Sequence, residues 1–237
     1  MCTTSCIVFG VCHLSPAEVA GRRVIEVGSY DLNGSLRPVV EQWGPAQYLG
    51  VDIQEGPGVD LVCPAEEVAE RLGEGGFDIV ISTEMLEHVR DWRRVISNLK
   101  RLCKPEGILL VTTRSFGFGY HAYPYDFWRF EPEDMARIFA DFQIEALERD
   151  WLKPGVFLRA RRPRDWQEKD CSDIELYSMV HQHRARDITD ADLQRFLQEM
   201  ERQRREAQRI KCPYLRLRDL GSRIVRRLIR EIRGALK

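Results

Sequence analysis

The run Arg23-Val-Ile-Glu-Val-Gly28-Ser-Tyr-Asp-Leu-Asn-Gly34, followed at short range by Tyr48-Leu-Gly-Val-Asp52, constrains this chain more than any other stretch. Val24 to Val27 are dominated by β-formers, and glycine and turn residues break the run before a helix-like segment opens near Ser35. The second segment is a short apolar strand that closes on a carboxylate. A strand, a glycine turn, a helix and a second strand ending in an acid make the opening of a nucleoside-binding α/β domain. At the turn, a residue without a side chain lets a ligand lie against the backbone. At the strand end, one carboxylate accepts from both hydroxyls of a ribose.

The turn itself narrows the choice of nucleoside. A dinucleotide carries a pyrophosphate and favours G-x-G-x-x-G, whose bare amides face the phosphates. Here Tyr30 stands at the second glycine position and Asp31 follows it, a bulky ring and a negative charge where a pyrophosphate would lie. Acids continue around the same region: Glu26, Asp52, Glu66 and Glu84 each fall near the C-terminal end of a predicted strand. S-adenosylmethionine has no phosphate but carries an ammonium, a sulfonium and a ribose diol, and carboxylates suit it on charge grounds.

Four ordered segments resemble the class I S-adenosylmethionine-dependent methyltransferases. Glu26-Val-Gly28 is similar to the family's first motif and Val51-Asp52 to its ribose motif. Phe77-Asp-Ile-Val-Ile-Ser-Thr-Glu-Met-Leu-Glu-His-Val89 is similar to the fourth-strand motif. Leu99-Lys-Arg-Leu-Cys-Lys-Pro-Glu-Gly-Ile-Leu-Leu-Val-Thr-Thr113 is similar to the helix, turn and fifth strand. The resemblance covers about residues 21 to 162 and implies a Rossmann-like methyltransferase sheet, mostly parallel with a C-terminal antiparallel hairpin. It implies S-adenosylmethionine as cofactor, held by Glu26, Gly28, Tyr30, Asp52, Ile53, Ala65, Glu66, Thr83 and Glu84. Two departures stand out: Tyr30 in place of a usual glycine, and Pro64 before Ala65-Glu66, where an acid often meets the adenine amine.

The rest of the chain alternates as such a fold requires. Ser15-Pro-Ala-Glu-Val-Ala20 predicts a short capped helix. Strands are predicted near 23–28, 47–52, 59–62, 77–82 and 107–113, and helices near 35–43, 65–72, 90–103 and 132–140. Phe142 to Glu148 and Val156 to Ala160 alternate apolar and polar residues around Lys153-Pro-Gly155, which predicts a hairpin. After the fifth strand comes Gly117-Phe-Gly-Tyr-His121-Ala-Tyr-Pro-Tyr-Asp126-Phe-Trp-Arg-Phe130, a densely aromatic loop with a few polar groups. It is the candidate acceptor pocket, with His121 and Asp126 as candidate catalytic residues. A neutral imidazole there would serve as base for a hydroxyl acceptor. The alternative is an aromatic plug, with Trp128 and Phe130 in the core and Arg129 paired to Asp126. His88 reads as a packing or capping residue.

The net charge of −1 conceals an asymmetry: residues from Arg184 onward balance at +8 and the rest at −9. A mildly acidic domain, 1–163, is therefore expected before a basic, mainly helical extension, 164–237. In that extension Leu217, Leu220, Ile224, Leu228, Ile232 and Leu236 recur at helical spacing among arginines. Packing against the domain or a homodimer partner is the first reading, and a membrane surface the second. Nucleic acid is disfavoured by the acidic domain and by a tail poor in stacking aromatics. Seven scattered cysteines argue for reduced thiols, and Cys2, Cys6, Cys12 and His13 match no zinc spacing, so no metal is assigned. The opening residues lack the pattern of a signal peptide, and a cytoplasmic enzyme is expected. It would methylate a small-molecule or glycan acceptor, most readily at a hydroxyl. The alternatives are a nucleic-acid or protein methyltransferase recruited by the tail, and a silent cofactor-binding module.

Overall fold

Runs of β-formers separated by capped helices build a seven-stranded sheet in the computed structural model, which describes residues 3–208. The strands are β1 Arg23–Val27, β2 Gln47–Asp52, β3 Leu61–Val62, β4 Phe77–Thr83 and β5 Cys103–Arg114, then β7 Gln143–Arg149 and β8 Gly155–Arg161. A short β6, Trp128–Arg129, lies outside this sheet. The order is β3-β2-β1-β4-β5-β8-β7. The first five strands run parallel, and β8 lies antiparallel between β5 and β7. The expected hairpin is therefore present as β7 and β8. Chain reversal between β1 and β4 makes a topological switch, the place where open α/β sheets bind ligands beyond their strand ends.

Helices cover both faces, which is why β1, β4 and β5 read as nearly continuous apolar runs. They are α1 Thr4–His13, α2 Pro16–Val19, α3 Arg37–Gln42, α4 Val68–Leu72, α5 Trp92–Leu102 and α6 Pro132–Ile138. Ser15 and Glu18 form the capping box of α2, and Glu131 with Asp134 does the same for α6. In α5, Trp92, Val95, Ile96, Leu99 and Leu102 all point inward at helical spacing. The sequence reading placed no helix at 4–13. It forms because Cys6 and Phe9 enter the core beside Val24, Leu36, Ile79 and Phe157. Phe9 and Phe157 lie 5.1 Å apart between ring centroids.

The first compact unit extends to Ile188. Two strands within the segment assigned to a mainly helical extension fold with it: β9 Leu176–Ser178 and β10 His183–Ala185. β9 pairs with β6 (Trp128 with Ser178, Arg129 with Tyr177), and β10 pairs with β9. Burial of Ile174 and Leu176 supplies the apolar term. Arg93 of α5 fastens the segment, donating to the carbonyls of Cys171 at 3.0 Å, Ile174 at 2.5 Å and Arg186 at 2.8 Å.

The second unit begins at Thr189. Within it residues 190–208 are helical, opened by Thr189 and Asp192, which exchange hydrogen bonds of 2.6–3.2 Å. The predicted stripe from Leu217 to Leu236 lies outside the described residues. Among the described residues no helix is long and apolar enough to cross a membrane.

Candidate active site

The site grows from the turn after β1. Gly28 has φ +87°, and a Cβ there would lie 2.6 Å from the Met85 side chain, so conformation and space both require glycine. Four successive amides are already satisfied inside the protein. Gly28 and Ser29 donate to the Val51 carbonyl at 2.8 and 3.1 Å, Tyr30 to Asp52 Oδ2 at 3.1 Å, and Asp31 to Pro57 at 2.8 Å. A pyrophosphate needs such amides unpaired. The Tyr30 ring fits against Gly56, where even a methyl group would collide with it. That explains how a tyrosine replaces the usual glycine.

Glu26 lies under this turn, 2% exposed. Tyr48 donates to Oε2 at 2.6 Å and Thr83 to Oε1 at 3.3 Å. Burial raises its pKa to about 7, although both hydrogen bonds pull the other way. Tyr48 was missed by sequence reasoning, yet its signal was present. Glu26 is in register with Gly50, so Tyr48, two residues earlier, shares its face diagonally. At the end of β2, Asp52 is partly open and Ile53 is 57% exposed. Ala65 is buried, with its carbonyl held by Asn98 at 2.9 Å. Glu66 lines a groove between α4 and α5 with Arg94, Ser97 and Arg101, away from the Gly28 turn.

After β4 the backbone tightens. Glu84 takes φ +54°, a left-handed conformation costly to a residue with a side chain. Its carboxylate is buried and ion-paired to Arg114, which is 3.2 Å from Asp150. Ser5 of α1 donates to Asp150 at 3.0 Å, so the first helix is tied to the strand ends. Burial and then the neighbouring Glu87 push the Glu84 pKa well up. The 3-10 turn Leu86–His88 follows and carries Glu87, which is fully buried.

The aromatic loop resolves into both readings at once. Trp128 and Phe130 are fully buried, and Arg129 grips Asp126 with two bonds of 2.6 and 2.7 Å. Asp126 is 1% exposed and also accepts the His121 amide at 2.9 Å. Burial opposes its ionisation, but Arg129 and His121 bring its pKa down to about 2. Its carboxylate is turned to Arg129 and to the His121 backbone and ring. His121 places Nδ1 3.0 Å from Asp126 Oδ2 and Nε2 3.8 Å from Glu87 Oε1. Burial would lower its pKa, but these two carboxylates outweigh it and raise the pKa to about 9. The carboxylates thus favour the protonated ring, whereas a base would work from the neutral one.

Glu87 and His88 are the residues that sequence reasoning undervalued. Their signal was a charged pair inside the apolar frame Met85-Leu86-Glu87-His88-Val89. His88 caps nothing: Nδ1 is 2.6 Å from the Tyr125 carbonyl. Around the strand ends, Ser29 Oγ, Glu84 Oε1, Glu87 Oε1 and His88 Nε2 are buried without a hydrogen-bond partner. Such atoms are rare, and three of these fall within the five residues from Glu84 to His88. Cys6, Cys12 and His13 do not converge. Cys6 is buried and Cys12 exposed, and His13 bonds Glu148 at 2.9 Å. Cys2 lies outside the described residues.

The profile of the methyltransferase domain family matches residues 10–155. The chain belongs to that family. Among curated proteins the chain is similar to the ubiquinone biosynthesis O-methyltransferase of Pseudomonas aeruginosa. It is 35% identical over 111 residues, covering 41% of this chain and 46% of that protein. The protein of the same description from Methylococcus capsulatus is 35% identical over 113 residues, covering 40% and 45%. The chain spans about half the length of the curated relatives it matches. Among solved structures, the Burkholderia thailandensis 1,6-didemethyltoxoflavin-N1-methyltransferase superposes with a TM-score of 0.53 at 15% identity. That match covers 68% of this chain and 77% of the other. An S-adenosylmethionine-dependent methyltransferase from Mesorhizobium loti gives 0.50 at 17%, covering 61% and 93%. These likenesses establish the Rossmann-like methyltransferase fold, and with the family match they make this a class I S-adenosylmethionine-dependent methyltransferase domain.

Proposed function

We propose that the chain transfers a methyl group from S-adenosylmethionine to a hydroxyl of a small-molecule or glycan acceptor. The observation that carries the cofactor is the Gly28 turn. Its amides are all used, so it suits a phosphate-free nucleoside, and Asp52 stands beside it to accept from a ribose. Glu26, with two of its lone-pair sites occupied, retains others for an ammonium, directly or through water. Thr83 and Glu84 complete that end, while Tyr30, Ile53, Ala65 and the Glu66 main chain would flank the ribose and adenine. Glu66's carboxylate lines a groove elsewhere and is not needed.

The cofactor supplies a methyl group already activated on its sulfonium. The chain's own task is to exclude water and to hold the acceptor oxygen in line. The aromatic loop supplies the wall, with His121 on its inner side steadied by Asp126 and Arg129. A hydroxyl acceptor is favoured by the curated relatives, which are described as O-methyltransferases.

Calorimetry with S-adenosylhomocysteine and NAD tests the first half: binding of the former and none of the latter is expected. Tight NAD binding with no methionine nucleoside bound would overturn it. Labelled methyl transfer to phenols, catechols, sugars, RNA and protein tests the second half, with label expected in an oxygen-linked methyl of a small molecule or glycan.

A further inference from the structure

We propose that Glu87, His88 and His121 form a binding site for a borderline divalent metal ion at the C-terminal edge of the sheet. One ligand atom from each of Glu87, His88 and His121 lies within 4.8 Å of the other two. Glu87 Oε1 is 3.9 Å from His88 Nε2 and 3.8 Å from His121 Nε2. Two bonds of about 2.0–2.2 Å to one tetrahedral ion place their ligand atoms about 3.3–3.6 Å apart, so side-chain rotations that close these distances by a fraction of an ångström to about 1.5 Å bring all three to one ion.

The far sides of both rings are already arranged as a metal site requires. Asp126 Oδ2 lies 3.0 Å from His121 Nδ1, and the Tyr125 carbonyl lies 2.6 Å from His88 Nδ1. With Nδ1 donating to those oxygens, each ring presents Nε2 towards the shared space. A carboxylate or carbonyl behind an imidazole fixes its tautomer and raises its basicity as a ligand. Glu87 is held in the same way, its Oε2 accepting from Thr113 at 2.8 Å.

An independent observation points to a ligand. Glu87 is fully buried, yet its Oε1 has no hydrogen-bond partner, and neither does the buried His88 Nε2. An ion pair between Glu87 and a protonated His121 is the competing account. At 3.8 Å that pair is an ion pair but not a hydrogen bond, and it leaves the buried His88 Nε2 without one, so a cation that displaces the His121 proton is the arrangement that engages all three atoms. One cation between the three atoms satisfies them together.

The donor set selects the ion. Two imidazoles with one carboxylate suit Zn²⁺, Co²⁺, Fe²⁺ or Mn²⁺ better than Ca²⁺, and no sulfur is present to favour Cu⁺. Three protein ligands leave positions open. Resting on the methyl-transfer reading, an acceptor hydroxyl would take one of them and lose its proton more readily.

The test uses the full chain after chelation, without cofactor or acceptor, in a His181→Ala/His183→Ala background that removes the surface histidine pair. Titration with Co²⁺ is expected to give visible d–d absorption saturating at one equivalent. His88→Ala and His121→Ala should each weaken binding at least about tenfold, as should Asp126→Asn behind the ring. Should those variants unfold by circular dichroism, pulsed electron paramagnetic resonance on the parent chain with Cu²⁺ decides, with coupling to two imidazoles expected. No saturable binding below millimolar metal, affinity unchanged in folded alanine variants, or coupling to fewer than two imidazoles would overturn the site. Because neither cofactor nor acceptor is present, a failure here is separate from a failure of methyl transfer.

Discussion

At Glu26 the protein keeps a carboxyl group where water cannot reach it, and the pH dependence follows from that. Its folded pKa of about 7 lies above the ordinary 4.5. The contribution to stability is therefore complete below pH 4.5 and disappears as pH rises through about 7. Cofactor affinity should move the other way, since an ammonium prefers the ionised acid. We expect urea unfolding to show a wild-type advantage over Glu26→Gln that shrinks between pH 5 and 8. Calorimetry over the same range should show homocysteine-nucleoside affinity rising in wild type only. Asp52→Ala should fold normally and lose about 1.5–3 kcal/mol of cofactor affinity per charged hydrogen bond, read as the dissociation constant. The turn and its acids were legible in sequence because backbone chemistry and strand ends write themselves into residue type. The state of His121 was not, since Glu87 and Asp126 converge on it from separate turns of the chain.

Elements with caps and clean periodicity were read almost to the residue, as in α5 and in the β7–β8 hairpin. Helix α1 was not, because its stability is tertiary: a short apolar segment without a polar face to mark its period, held by the contact of Phe9 with Phe157. Phe9→Ala should therefore cost about 3–5 kcal/mol, measured by denaturant unfolding with an unchanged m-value. The loss should also loosen the Ser5–Asp150 bond, which joins this helix to the Arg114–Glu84 pair. At α2, the Glu18–Arg159 pair holds Glu18 at about pKa 2, with burial opposing the arginine's larger effect. Its stabilisation is present above pH 4.5 and lost towards pH 2. Because Glu18 is partly open to solvent, Glu18→Gln should lower the melting temperature only slightly at pH 7 and by less still at pH 2.

Over the whole molecule, charge asymmetry located a change of character, while strand pairing decides where the first unit ends. Two three-residue strands leave almost no periodic trace, so β9 and β10 could not be read before their partner β6 was known. Truncation after residue 188 should leave a cooperative thermal transition, whereas truncation after 163 should lower it sharply or abolish it. The expected cause is the exposed edge of β6 and the stranded Arg93 guanidinium. That arginine also reaches beyond stability. Its three carbonyl partners hold a segment whose Met179 amide bonds Phe127 at 2.8 Å and whose β9 pairs with β6, at the foot of the aromatic loop. Under the proposed function that loop walls the acceptor, and its foot is then held from a helix on the sheet's flank. On that proposal, acceptor preference is expected to respond to a change at Arg93 with every loop side chain left as it is. Arg93→Gln should speed hydrogen exchange at Phe127 to Phe130 and broaden the range of acceptors methylated.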